Sequence, residues 1–202
     1  MFMDYSQFQL ELKNRTHEAH KKAENHPLMQ SFIKGEYKKE HLLQFLVNMY
    51  PIYSVVEKRL LQERINQVSD LKRSELIEKD INTLITEIVN IKNANILTPL
   101  VATTAWVNNC LAKPVSLLKA ELYSRWLADF YGGRMLAKTV SPNLMYTSES
   151  PKQVIEAVRE ILDEPNDSSE ITNVNIIQEV ISFFDFHVEI FDIIYNGSTQ
   201  TN

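Results

Sequence analysis

His20 lies on the apolar stripe of a helix expected from about Tyr5 to Glu24, in line with Phe8, Leu12, Thr16, Ala19 and Ala23. An imidazole there is either a hydrogen-bonded core group or a metal ligand. Lys13 stands seven residues earlier, only about 20° away around the helix and two turns along it. An iron-binding nitrogen with a cation on the same side suits an anionic iron porphyrin. His17 sits about 60° from His20, nearer the polar boundary, and is the weaker ligand. Glu24, one turn beyond His20, either takes the imidazole N–H and strengthens its donation, or is a solvated charge.

Gly132 and Gly133 are the second chemical signal. They are adjacent, in a chain with four glycines, inside a segment that otherwise reads as one helix from Leu117 to Ala137. Each costs about 1 kcal/mol relative to alanine in a helix interior. Two readings account for them. The helix ends at Gly132 and Arg134–Thr139 forms a separate turn, or a bent helix lays bare backbone against a flat object such as a planar cofactor.

Competing chemistries are poorly served. A di-iron bundle needs Glu-x-x-His on facing helices, and none of the five histidines has Glu three residues before it. Zinc hydrolase spacing is absent, and no glycine-flanked serine supports a Ser-His-Asp triad. Cys110, the single cysteine, cannot form an internal disulfide, which fits a reducing cytoplasm.

The positioning elements are helices throughout. Apolar residues recur at three- and four-residue spacing and alternation is missing. A short helix runs from Pro27 to Gly35, and a long one, from about Lys39 to Arg64, carries Leu43, Val47, Tyr50 and Ser54 and should kink at Pro51. Further helices are expected near Leu71–Val89, Pro99–Leu111, Pro114–Thr139, Lys152–Asp163 and Ser169–Tyr195. The result is an all-α fold of seven or eight helices, one domain over 1–196 with a polar tail at 197–202. At 202 residues, 44% hydrophobic and 23% charged, the chain can bury a globular core. A net charge of −5 argues against a dedicated nucleic-acid binder. No run is long and apolar enough for a membrane helix, and Met1–Asp4 lacks the order of a signal peptide, so no membrane contact and a cytoplasmic location are expected.

The same residues resemble the heme oxygenase family, in order along nearly the whole chain. Leu12–Asn25 is similar to the family's proximal helix, with His20 at the iron ligand. Tyr50-Pro51-Ile52-Tyr53 followed by Glu57 resembles its Tyr-x-Ile-Tyr segment. Arg125-Trp126-Leu127-Ala128-Asp129-Phe130-Tyr131-Gly132-Gly133 resembles the distal motif, and Phe183–Phe191 the last helix. The resemblance implies heme, both cofactor and substrate, held between the first helix and the glycine-bent distal one. It would be opened with dioxygen to biliverdin, carbon monoxide and ferrous iron, with electrons from a reductase or ferredoxin.

By role, the resemblance makes His20 the metal ligand. Asp129 would hold a proton-delivering water network, Arg125 would fix Asp129, and Tyr53 would complete the network. Gly132 and Gly133 would admit porphyrin and oxygen; Lys13 and Tyr123, with Arg159, would face the propionates. His17 stands where a propionate-binding lysine is often found. Ala128 replaces the usual first distal glycine and Tyr131 a small serine, although Ala128, Gly132-Gly133-Arg134-Met135 and Val158-Arg159 look similar to the plant branch. Read singly, Arg125–Asp129 would be a surface ion pair, and Tyr53 and Tyr123 half-buried core aromatics.

Two other functions are weighed. One is a protein that holds heme without degrading it, motivated by Ala128 and Tyr131. The other is a thiamin-type pyrimidine hydrolase using Cys110, which has no acidic neighbour in its own helix. The expected assembly is a monomer. Lys13, Arg15, Lys21, Lys22, Lys34, Lys38 and Lys39 either attract an acidic electron donor or form a solvated face.

Overall fold

The computed structural model describes residues 5–63, 72–88, 91, 94–147 and 173–197. Within them the chain forms α1 (Tyr5–Glu24), α2 (Pro27–Lys34), α3 (Lys39–Gln62), α4 (Ser74–Glu87), a 3-10 turn (Ala94–Leu97), α5 (Val101–Ala112), α6 (Val115–Tyr131), α7 (Gly133–Leu136), α8 (Leu144–Thr147) and α9 (Asn173–Gly197). The all-α reading holds. The expected helix at Lys152–Asp163 lies outside the described residues, as do Arg159 and residues 198–202. Gly197, placed in the tail by sequence, belongs to α9.

α3 is the central element because its sequence gives it a wide apolar side. Leu42, Leu43, Leu46, Met49, Ile52, Val56 and Leu60 are all buried, an apolar face about half the helix wide. It runs through Pro51, whose missing N–H leaves the Val47 carbonyl without its partner one turn on. α4, α5, α6, α9 and the 3-10 turn pack around it, while α1 lies along α9.

Helix ends are secured from afar. Arg73, the residue before α4, has no capping side chain, and Glu57 of α3 takes that place. Its carboxylate accepts from the Arg73 N–H (2.6 Å), the Ser74 N–H (3.1 Å) and the Ser74 hydroxyl. Asn48 of α3 accepts from the Leu100 N–H (2.8 Å) at the start of α5, and Asp80 of α4 from the Leu144 and Met145 N–H groups at α8 (both 3.2 Å). α2 follows its sequence signals. Pro27 opens it, His26 Nδ1 accepts from the Leu28 N–H, and Gly35 closes it at φ 72.

Candidate functional site

α1 delivers His20 to the mouth of a cavity of about 310 Å³, a size typical of small-molecule sites. Leu12, Thr16 and Ala23 are buried against α9, which turns His20 toward the cavity at the edge of the stripe. The imidazole is about half exposed and stands edge-on to Phe184 of α9, with ring centroids 5.1 Å apart. Glu24 Oε2 lies 3.8 Å from His20 Nδ1, near enough for attraction but beyond a hydrogen bond. Both residues line the cavity. Lys13 and His17 are exposed and are not among the lining residues.

The wall is largely hydrophobic, with Met29, Ile33, Phe45, Met49, Leu136 and Phe191 contributed by α2, α3, α7 and α9. Tyr53 of α3 joins them, buried, its ring 5.1 Å from that of Trp126. Gly132 and Gly133 also line the cavity. Here the structure corrects the expectation of one helix reaching Thr139: α6 stops at Tyr131 and α7 restarts at Gly133. Gly132 keeps right-handed dihedrals, φ −77 and ψ −40, which any residue can adopt. Its usefulness is therefore the missing side chain at the cavity wall, and no backbone strain is involved.

Arg125 is buried, which removes the surface-pair reading. Its Nε and Nη2 donate to Glu121 Oε2 at 3.1 and 3.0 Å, one turn back on α6. Glu121 Oε1 takes a 2.8 Å bond from Lys113, which also pairs with Glu179 of α9. Burial lowers the Lys113 pKa, but Glu121 and Glu179 outweigh it and hold the ammonium charged. Arg125 Cζ lies 4.6 Å from the Phe183 ring centre and 5.4 Å from that of Tyr53. Its Nη1 is buried and has no hydrogen-bond partner among the described residues. Tyr123, Ala128, Asp129 and Tyr131 fall on α6, but their side chains lie outside the description.

Cys110 has an acidic neighbour that its own helix does not supply: Sγ lies 3.8 Å from Glu121 Oε1. Burial first, then Glu121, pushes the thiol up to about 12, and Cys110 does not line the cavity. A thiol held protonated is a poor nucleophile. That disfavours the hydrolase reading.

His187 is a lining residue that the residue-by-residue reading missed. It sits in α9 with Nδ1 2.8 Å from the Phe183 carbonyl, its ring 4.2 Å from that of Phe183. Burial, then the Arg125 guanidinium, pushes its pKa down to about 3. One histidine set in the aromatic run Phe183–Phe191 was the available signal, but periodicity alone could not say that it borders a cavity.

The heme oxygenase family profile matches residues 6–192. The chain belongs to the heme oxygenase family. A heme oxygenase of Porphyra purpurea is 31% identical over 137 residues, covering 63% of this chain and 56% of that protein. One from Rhodella violacea is 26% identical over 166 residues, covering 78% and 68%. This chain thus spans a little over half of the Porphyra protein and about two thirds of the Rhodella one. Among solved structures, heme oxygenase-1 from the cyanobacterium Synechocystis sp. PCC6803, in complex with heme, superposes with a TM-score of 0.77 at 20% identity, covering 96% of this chain and 94% of that one. Heme oxygenase-2 of the same organism, in complex with heme and NO, gives 0.74 at 24%, covering 94% and 85%. At such identities the likeness bears on the fold.

Proposed function

We propose that the protein binds heme in this cavity and cleaves it, with dioxygen and a reductant, to biliverdin, carbon monoxide and ferrous iron. The observation that carries this is convergence: His20 of α1 and the segment holding Arg125, Gly132 and Gly133, more than a hundred residues further on, line one largely apolar cavity. The residues suit an iron porphyrin. An imidazole stands at the mouth for the iron, hydrophobic side chains meet the macrocycle, and side-chain-free backbone allows close approach. Heme is the substrate here, supplying the iron at which dioxygen is activated and the carbon skeleton that is cut.

The chain's own groups bind, orient and supply protons. His20 ligates as the neutral imidazole, with Glu24 drawing on its Nδ1–H. Asp129, Arg125 and Tyr53 hold the water that delivers protons, and Ala128, Gly132 and Gly133 form the wall beside it. Lys13, His17, Tyr123 and Arg159 meet the propionates. An acidic reductase or ferredoxin delivers electrons near the early basic cluster, where Lys13 and Lys21 of α1, Lys34 of α2 and Lys38 before α3 are exposed. Among the described residues no helix is long and apolar enough to cross a membrane. Independently of that, our reading keeps the protein a cytoplasmic monomer.

Titration with hemin is the first test. A Soret band should appear in the wild type and change its coordination signature in His20→Ala; unaltered coordination in that variant refutes the ligand assignment. Oxygen and reductant should then yield a bilin spectrum. A heme complex that survives them unchanged would make this a heme-holding protein.

A further inference from the structure

A carboxylate is unfavourable to bury without a counter-charge, and Asp80 of α4 is buried completely. Among the described residues its partners are two backbone amides and no cation: Oδ1 accepts from the Leu144 N–H and Oδ2 from the Met145 N–H, both at 3.2 Å. Charged groups on the elements packed against it lie elsewhere. α3 carries none between His41 and Glu57, only the phenols of Tyr50 and Tyr53. Glu57 is engaged at the start of α4, and Lys39 pairs with Glu87 at its end. α8 has no ionisable side chain except Tyr146, and on α4 itself Glu75, Glu78, Lys79 and Glu87 are exposed. A neutral asparagine or serine caps a helix as well as aspartate does, so the charge calls for a reason. α4 lines no part of the cavity, yet the segment that Asp80 grips does: Met145, 1% exposed, lines it together with Met135 and Leu136 of α7. Other ties on this stretch are neutral, the Thr139 hydroxyl donating to the Phe32 carbonyl (2.8 Å) and the Ser141 N–H to the Tyr37 hydroxyl (2.9 Å).

We propose that Asp80 is a positioning residue for the cavity: its ionised carboxylate seats Met145 in the wall through the two N–H groups at the start of α8, and a proton on Asp80 unseats it. A protonated carboxyl keeps one acceptor oxygen and turns an O–H toward an amide N–H, which cannot accept it, so one of the two bonds is lost. A helix of four residues has little else to hold its first turn. Burial raises the Asp80 pKa against the pull of the two backbone bonds, which brings this proton closer to neutral pH. Ligand affinity is therefore greatest with Asp80 ionised and declines as the pH falls through its titration. The proposal rests on the heme reading only for what fills the cavity.

Two measurements test this. Carbon-13 methyl NMR of methionine-labelled apoprotein reads the wall directly, with Met145→Leu assigning the resonance. In the wild type the Met145 methyl should shift in one protonation step between about pH 4 and 7, and an aspartate carboxyl resonance should titrate with the same midpoint. Asp80→Asn has the shape of the protonated acid, one acceptor and one donor group, and should hold the methyl near its acid position at every pH. A methyl that does not titrate in the wild type, or has no carboxyl partner, overturns the proposal; so does one that titrates equally in Asp80→Asn. Soret titration is the second measurement. At about pH 7.5 Asp80→Asn should bind hemin about tenfold more weakly, the scale of one hydrogen bond to a charged group. That gap should close as the pH falls, since protonation of His20 weakens both proteins alike. A gap constant with pH would show a merely structural loss, and no gap would show no coupling; either overturns it. Failure of the wild type to bind hemin would instead refute the heme reading, with the methyl titration still deciding the role of Asp80.

Discussion

Single residues in this molecule carry large consequences because several charges and imidazoles are fixed away from water. His187 illustrates the effect on stability. Its pKa is about 3 in the folded protein and the ordinary value is 6.5, so the unfolded chain binds a proton that the folded one refuses. The sign follows: this contribution to stability is complete above about pH 6.5 and is lost as the pH falls toward 3, at up to about 1.4 kcal/mol per pH unit. Thermal unfolding of the apoprotein should thus show an acid-side slope that His187→Gln reduces; parallel curves would contradict it. Glu121 offers a second case. Its two oxygens pair with Arg125 and Lys113, and Glu121→Ala would leave buried cations with reduced compensation. A loss of about 3–5 kcal/mol is expected in denaturant unfolding, with Glu121→Gln intermediate.

At the scale of elements, the junction of α6 and α7 sets stability against binding. Gly132 has helical dihedrals, so alanine fits the backbone and should stabilise the apoprotein by about 0.4–1 kcal/mol. Gly132 also lines the cavity, and hemin affinity should fall in Gly132→Ala if the added methyl takes up space the ligand uses. Opposite signs from one substitution, read by thermal unfolding and by Soret titration, are the expected outcome. A variant that is both more stable and equally tight would show that the bare backbone serves no ligand. Remote capping is the other theme. Glu57, Asn48 and Asp80 start α4, α5 and α8 from outside those helices, which ties the frame around the cavity to α3 and α4.

Over the whole molecule, a net charge of −5 coexists with a cluster of basic residues between Lys13 and Lys39. Part of it is already engaged: Arg15 pairs with Glu11, Lys22 with Asp185 and Lys39 with Glu87. Lys13, Lys21, Lys34 and Lys38 are exposed, and in the proposed reaction they would steer an acidic donor. Electron transfer from such a donor should slow as ionic strength rises, and Lys34→Glu with Lys38→Glu should flatten that dependence while leaving hemin affinity unchanged. A salt-independent rate in the wild type would remove electrostatic steering.

How far the chain could be read without coordinates differs by question. Helical class, the limits of α2 and the apolar stripe of α1 follow from local rules of periodicity and capping, which neighbouring residues satisfy among themselves. His20, Glu24 and the glycine pair were found the same way, each from types and spacing within one helix. Tyr53 and Arg125 came from the family resemblance, not from spacing. What local rules cannot reach is which faces of separate helices meet. Arg125 turning to Glu121, Lys113 and Glu179 converging on it, Glu57 capping α4 and His187 facing the cavity all depend on side chains from different elements being buried together. Burial makes a polar group's partner matter, and only the packed helices decide which partner it gets.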